Sequence, residues 1–190
     1  MQDSVSANTM TNTLAQYRTV VGRCKDMYVK KARDYGTSWR VLRGISIVDQ
    51  LYIKAWRIRQ IQETGQQKIG DSIESEFVGI VNYGIIALIQ YAMPADAPTD
   101  LSYEEAKHWY ELKAQEIEDL MQQKNHDYGE AWRELSQQSF VDLILVKLLR
   151  IKQILANDGQ TIVSEGADAN FCDIVNYAIF ALIKMDEANT

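Results

Sequence analysis

A chain of 190 residues with 46% hydrophobic side chains has enough apolar material for a real core, in one large domain or two small ones. Its formal charge of −6, with 26 acidic against 20 basic residues and no basic stripe, argues against a nucleic-acid polymer as partner. Small phosphorylated molecules stay open, because a few local cations suffice for them. The two cysteines, Cys24 and Cys172, fall at non-equivalent points of apolar helical patterns, which points to free thiols in a reducing, cytoplasmic setting. His108 and His126 have no paired Cys/His spacing, so zinc is not expected. No leader pattern opens the chain, no apolar run is read as membrane-spanning, and no membrane partner is expected.

Residues 1–9 read as a frayed terminus, and the three-four spacing of Leu14, Tyr17, Val20, Val21, Cys24, Met27 and Tyr28 predicts a helix over about 10–33. Gly36 ends it, and Trp39 begins a short turn. Lys31, Asp34, Tyr35 and Trp39 either bind a base by stacking and edge hydrogen bonds or close the turn and seal the core, sealing being the preferred reading for Trp39. A second helix is expected over about 46–63, opened by a capping box at Ser46 and Asp49. Ile47, Val48, Leu51, Ala55 and Ile58 form its core face. Ile53 and Trp56 lie on the other side, predicting that both sides are covered and that the charges between them are only partly solvated. A third helix starts at Asp71 or Ser72 and runs to about residue 92, with Asp71 and Glu74 read as a cap pair. Both prolines, Pro94 and Pro98, then break the chain. Beyond them a capping box at Ser102 and Glu105 opens a helix to about residue 125, and helices over about 139–156 and 167–187 complete the set, with Glu165 and Asp168 as caps of the last. No segment sustains two-residue alternation, so no sheet is expected.

The chain states its central stretch twice. Residues 31–61 and 124–154 agree at fifteen of thirty-one positions at a constant offset of 93, and residues 77–89 and 171–183 agree at nine of thirteen at an offset of 94. The expectation is therefore an all-α fold. Residues 10–93 form one three-helix repeat, 94–100 a linker and 101–187 a second repeat, packed about a pseudo-twofold axis around one shared core.

The echo holds charged residues to a pattern: Lys31/Lys124, Asp34/Asp127, Asp49/Asp142, Lys54/Lys147 and Arg57/Arg150. Aspartate beside lysine and arginine suits a phosphate site with bound magnesium, the carboxylate serving the metal and the cations the phosphate oxygens. For Asp49 and Asp142 helix capping explains the residue equally well. Asn82 and Asn176 recur inside a long helix where asparagine is a poor former, so each suggests a specific hydrogen bond, structural or to a ligand. An apparent phosphate loop, residues 65–72, carries Asp71 where lysine is required and is set aside.

The repeated elements K-x-x-D-Y-G-x-x-W, D-x-x-x-x-K-x-x-R-I and N-Y resemble the nucleotide modification associated domain family, first type, and span most of both halves. That resemblance implies a role in nucleotide metabolism or base modification. More distantly, the acidic helices resemble the MazG-type all-α nucleoside triphosphate pyrophosphohydrolases, which hold magnesium on E-x-x-E and E-x-x-D helices. Here the second element is divided between Glu76, with Gly79 three residues on, and Asp173, with Asn170 three residues before it.

Two function classes follow, beside a third reading, a purely structural pseudo-dimer, which predicts that the repeated charges merely pair with each other. One is a magnesium-dependent nucleoside triphosphate pyrophosphohydrolase with Asp142 and Asp173 as catalytic residues and Asp49, Glu76, Asp142 and Asp173 as metal ligands. The other is a non-catalytic helical module that binds a nucleotide or a partner. In both, Lys31, Asp34, Lys54, Arg57, Asn82, Lys124, Asp127, Lys147, Arg150 and Asn176 are the candidate nucleotide contacts. The divided motif predicts one magnesium–nucleotide site per chain, dependent on Asp173. Assembly into homo-oligomers is left open.

Overall fold

The structure, a computed structural model, describes residues 2–94 and 96–189, with side chains from residue 12 onward. Among the described residues it consists of six α-helices and two 3-10 turns, with no strand. They are α1 (Gln2–Tyr35), a turn at Ser38–Val41, α2 (Gly44–Thr64), α3 (Ile73–Ala92), α4 (Tyr103–Tyr128), a turn at Ala131–Glu134, α5 (Gln137–Ala156) and α6 (Ala167–Ala188). The first helix already begins at Gln2, so a frayed start over residues 1–9 is not what the backbone adopts there; Met1 lies outside the described residues.

Local chemistry sets most helix ends. Gly36 at φ 65° and Gly129 at φ 59° take the left-handed conformation that closes α1 and α4, their N–H groups donating to the carbonyls of Ala32 and Asn125. Ser102 and Glu105 form the expected capping box at the start of α4. Ser72 caps α3 by accepting from the Ser75 N–H, so the cap is Ser72 and not an Asp71/Glu74 pair. At α6 the cap position is Gly166, with no side-chain bond, which corrects the capping role given to Glu165 and Asp168. The boxes expected at Ser46 and Ser139 do not form either. α2 starts earlier, after Arg43, and α5 starts after Ser136, whose hydroxyl accepts from the Ser139 N–H. Asp49 and Asp142 therefore sit inside their helices, free to pair elsewhere.

The buried side chains of both repeats form one continuous cluster. At its centre α3 packs on α6 so closely that a Cβ on Gly84 would stand 2.5 Å from Val175 Cγ2. By length and composition α3 could cross a membrane, contrary to the sequence reading. In the bundle, however, 67% of its apolar window is buried against other helices, which accounts for that apolar character as core.

Three pairs of reciprocal contacts express the pseudo-twofold. The Tyr17 hydroxyl donates to Asn176 Oδ1 at 2.7 Å, and its equivalent Tyr110 donates to Asn82 Oδ1 at 2.8 Å. Arg18 pairs with Glu118 at 2.7 Å, while Lys25, the counterpart of Glu118, pairs with Glu111, the counterpart of Arg18, at 3.0 Å. On the α2–α5 side Asp49 pairs with Lys152 at 2.7 Å and Asp142 faces Arg59 at 3.6 Å. Residue i touching j′ while i′ touches j is the signature of an isologous interface, here within one chain. The outer stripe of α2 and α5 departs from expectation. Ile53, Trp56, Val146 and Leu149 are 60, 43, 44 and 54% exposed, so these helices are not covered on that side.

Candidate functional site

The two repeats place equivalent lysines on equivalent helices and then use them differently. In the second repeat Asp173, only 7% exposed, lies between the C-terminal part of α4 and the middle of α5. Lys124 Nζ reaches its Oδ1 at 2.6 Å and Lys147 Nζ its Oδ2 at 2.6 Å, so each carboxylate oxygen has its own ammonium. Burial opposes the charged form of Lys124, but the hydrogen bond and charge of Asp173 outweigh it and hold the ammonium above its ordinary pKa of 10.5. A raised lysine pKa contributes stability in full below 10.5 and loses it only as pH rises through the higher folded value, so the bridge is intact at neutral pH.

In the first repeat the residue at that place is Gly79, and the carboxylate has moved one helical turn back, to Glu76. Its Oε2 meets Lys54 Nζ at 3.1 Å and its Oε1 meets Arg57 Nη1 at 2.5 Å. Arg57 also donates to the carbonyls of Ile69 and Asp71, tying down the chain that leads into α3. The Lys54 side chain lies over Gly79, with Cε, Cδ and Nζ 2.9, 3.0 and 3.1 Å from where a Cβ would stand. Lys31, the counterpart of Lys124, has no carboxylate partner among the described residues and is exposed.

The result is a cleft of about 680 Å³ in the first repeat, between the end of α1, the following turn, α2 and the first half of α3. Tyr28, Tyr35, Trp39 and Tyr83 supply aromatic wall, Lys31 and Lys54 supply ammonium groups, and Gly79 forms part of the floor. Burial pushes the Tyr28 hydroxyl up to about 12. The equivalent region of the second repeat carries larger or charged side chains. Besides Asp173, Phe180 stands where the first repeat has Ile86, and it stacks on Trp132 at 4.3 Å and 7°. Asn125 and Arg133 both bond Glu130 beside it. A separate open hollow of about 750 Å³ lies farther along α5, lined by Lys147, Arg150 and the loop of residues 160–165.

The candidate residues separate accordingly. Lys31, Lys54 and Asn82 line the first-repeat cleft, while Arg57 braces it from behind through Glu76. Lys124 and Lys147 are engaged by Asp173. Arg150 is exposed at the outer hollow, making no hydrogen bond or ion pair among the described residues. Asp34 and Asp127 are exposed, Asp127 lying 3.2 Å from His126 Nδ1. Asn82 and Asn176 make the reciprocal tyrosine bonds, and Asn82 Nδ2 also donates to the Cys24 carbonyl at 3.1 Å, so both are structural. The proposed metal ligands are not brought together. Asp49 and Asp142 hold α2 to α5, Glu76 and Asp173 belong to different repeats, and among the described residues no three His, Cys, Asp or Glu side chains gather as a metal site would need. Both cysteines are free, with burial raising the thiol pKa of Cys24 to about 12 and that of Cys172 to about 11.

Arg23 and Gln50 also line the cleft and went unnoticed in the sequence. Neither recurs: Glu116 and Leu143 stand in their places. Reading for recurrence selects Lys31, Lys54 and Asn82, which the halves share, and passes over Arg23, Gln50 and Gly79, where they differ.

The chain is thus a duplicated helical bundle whose first repeat holds an open cleft lined by lysines and aromatic rings. The family model for nucleotide modification associated domain 1 matches residues 31–91 and again 124–185, well over half of the chain, and the chain belongs to that family. Its description ties the family to nucleotide modification. Searches of curated proteins and of solved structures return no match.

Proposed function

We propose that the first-repeat cleft binds a nucleotide, or a small molecule of the same chemistry with an aromatic ring and an anionic group, and that it does so as a binding module without metal-dependent turnover. The observation that carries this reading is the combination of four aromatic side chains with Lys31, an ammonium without a carboxylate partner among the described residues, in one cleft. Aromatic faces suit a base, and the cleft volume lies within the roughly 300–1,000 Å³ of small-molecule sites. The family's association with nucleotide modification agrees with that ligand class. Binding without hydrolysis is favoured over the pyrophosphohydrolase reading because each carboxylate proposed as metal ligand is engaged by lysine or arginine. Recruiting Glu76 or Asp173 to magnesium would strand two cations at a largely buried position.

The test is a thermal-shift and calorimetric panel of nucleoside mono-, di- and triphosphates, each with and without magnesium, with product analysis of the triphosphate samples. A ligand at a hundred times its Kd stabilises the native state by about 2.7 kcal/mol. The expected result is stabilisation by at least one nucleotide without magnesium and without hydrolysis. No shift at millimolar concentration would overturn the binding reading, and a magnesium-dependent release of pyrophosphate would overturn the non-catalytic one.

A further inference from the structure

The duplication supplies an internal comparison of one location in two states. In the second repeat two lysines from neighbouring helices converge on a carboxylate that the chain itself provides, Asp173, with both contacts at 2.6 Å. In the first repeat the same two lysines, Lys31 and Lys54, line a cleft, and at the matching position the chain provides Gly79. Lys54 lies directly over that glycine, its Nζ 3.1 Å from the missing Cβ. Glu76 does not substitute for the missing group, because it is shared between Lys54 and Arg57 and leaves Lys31 without a carboxylate. No backbone requirement explains the glycine, since Gly79 sits inside α3 without a positive φ, where glycine costs about 1 kcal/mol relative to alanine.

We infer that the anionic group of the ligand occupies, between Lys31 and Lys54 over Gly79, the place that the Asp173 carboxylate occupies in the second repeat, and that Asp173 is a built-in occupant keeping the duplicate subsite shut. The subsite takes one compact oxyanion, a phosphate group or a carboxylate. A single free ammonium beside a shared one matches a terminal monophosphate better than a long polyphosphate, whose further charges would find Glu74 and Glu76 nearby. This rests on the reading of the first-repeat cleft as a ligand site, and it reverses the dependence expected from the sequence. Asp173 suppresses a second site, and the one that remains does not need it.

The experiment titrates the full chain and three variants with inorganic phosphate and, separately, with a nucleoside monophosphate, following heat and phosphorus NMR, with folding checked by thermal melting. Gly79→Asp recreates the second-repeat bridge in the first. The obstructing atoms are the end of a lysine side chain, so the variant can fold, and it should lose at least tenfold in phosphate affinity while melting no lower than the parent. Lys31→Gln changes an exposed, unpaired side chain and should lose affinity to a similar degree with unchanged melting. Asp173→Ala leaves Lys124 and Lys147 facing a gap and should raise phosphate stoichiometry from one to two per chain. Unchanged affinity in both Gly79→Asp and Lys31→Gln would overturn the subsite, and a stoichiometry of one in folded Asp173→Ala would overturn the role given to that aspartate. Phosphate bound as expected with no added affinity from the nucleoside would uphold the subsite while ending the nucleotide reading. Nucleotide bound equally by the parent and Gly79→Asp would do the reverse.

Discussion

At the scale of single residues, Asn82 and Asn176 show how far recurrence could be read. Their repetition within a helix foretold a specific hydrogen bond, and the bond exists, but its donor is a tyrosine on the first helix of the opposite repeat. That partner was not legible, because Tyr17 and Tyr110 lie outside the closely matching blocks and a contact across a pseudo-twofold leaves no local spacing to detect. Tyr110→Phe removes the hydroxyl that donates to the buried Asn82 Oδ1, its one donor among the described residues. The expected cost is about 1–3 kcal/mol, the range for stranding a buried polar group. Urea denaturation of Tyr110→Phe and Tyr17→Phe measures it. A loss within error of zero in both would mean that water replaces the tyrosine and that the reciprocal bonds do not hold the repeats together.

At the scale of elements, most helices were legible from apolar spacing, with the predicted spans of α2, α5 and α6 ending within a residue or two of the observed ones. Their starts were less so. The serine-to-aspartate spacing at Ser46 and Ser139 imitates a capping box, but the preceding 3-10 turns hand the chain over two residues earlier and release the aspartates to pair between α2 and α5. The outer apolar stripe of those helices has the spacing of a second buried face, yet the structure leaves it exposed. Spacing alone reports that a face is apolar and says nothing of whether another element covers it. What no periodicity announces is the closeness of α3 to α6. A methyl group at Gly84 would meet Val175 Cγ2 on a branched side chain with little room to turn. Gly84→Ala should destabilise the fold by about 1–3 kcal/mol despite the better helix propensity of alanine, the usual range for an overpacked core. Chemical denaturation reads the loss, and pairing the change with Val175→Ala should recover part of it.

At the scale of the whole molecule, the repeats are joined by residues 94–100 and bound across a core to which both contribute. The joining segment is not loose, although residue 95 lies outside the described residues. Arg40 donates to the carbonyls of Ala97 and Pro98, and Thr37 accepts from the Leu101 N–H and donates to the Thr99 carbonyl. Produced separately, residues 1–95 should fail to fold as a stable monomer, and mixed with residues 96–190 they should assemble one to one, as read by native mass spectrometry and circular dichroism. A cooperative melt of either half as a lone monomer would contradict this. The charges at the α1–α4 contact add a rule about partner choice. Arg18 meets Glu118 and Lys25 meets Glu111, so two copies of the first half would bring Arg18 against Lys25, and two copies of the second would bring Glu111 against Glu118. At this contact each half thus repels its own duplicate and suits its sibling, whereas the α2–α5 pairs of aspartate with arginine or lysine would form in either case. An exchange in which one molecule's first half takes another's second half keeps every one of these pairs. Domain swapping is therefore the form of self-association through this surface that the charges permit, and the bonds from Arg40 and Thr37 to the joining segment hold it in check.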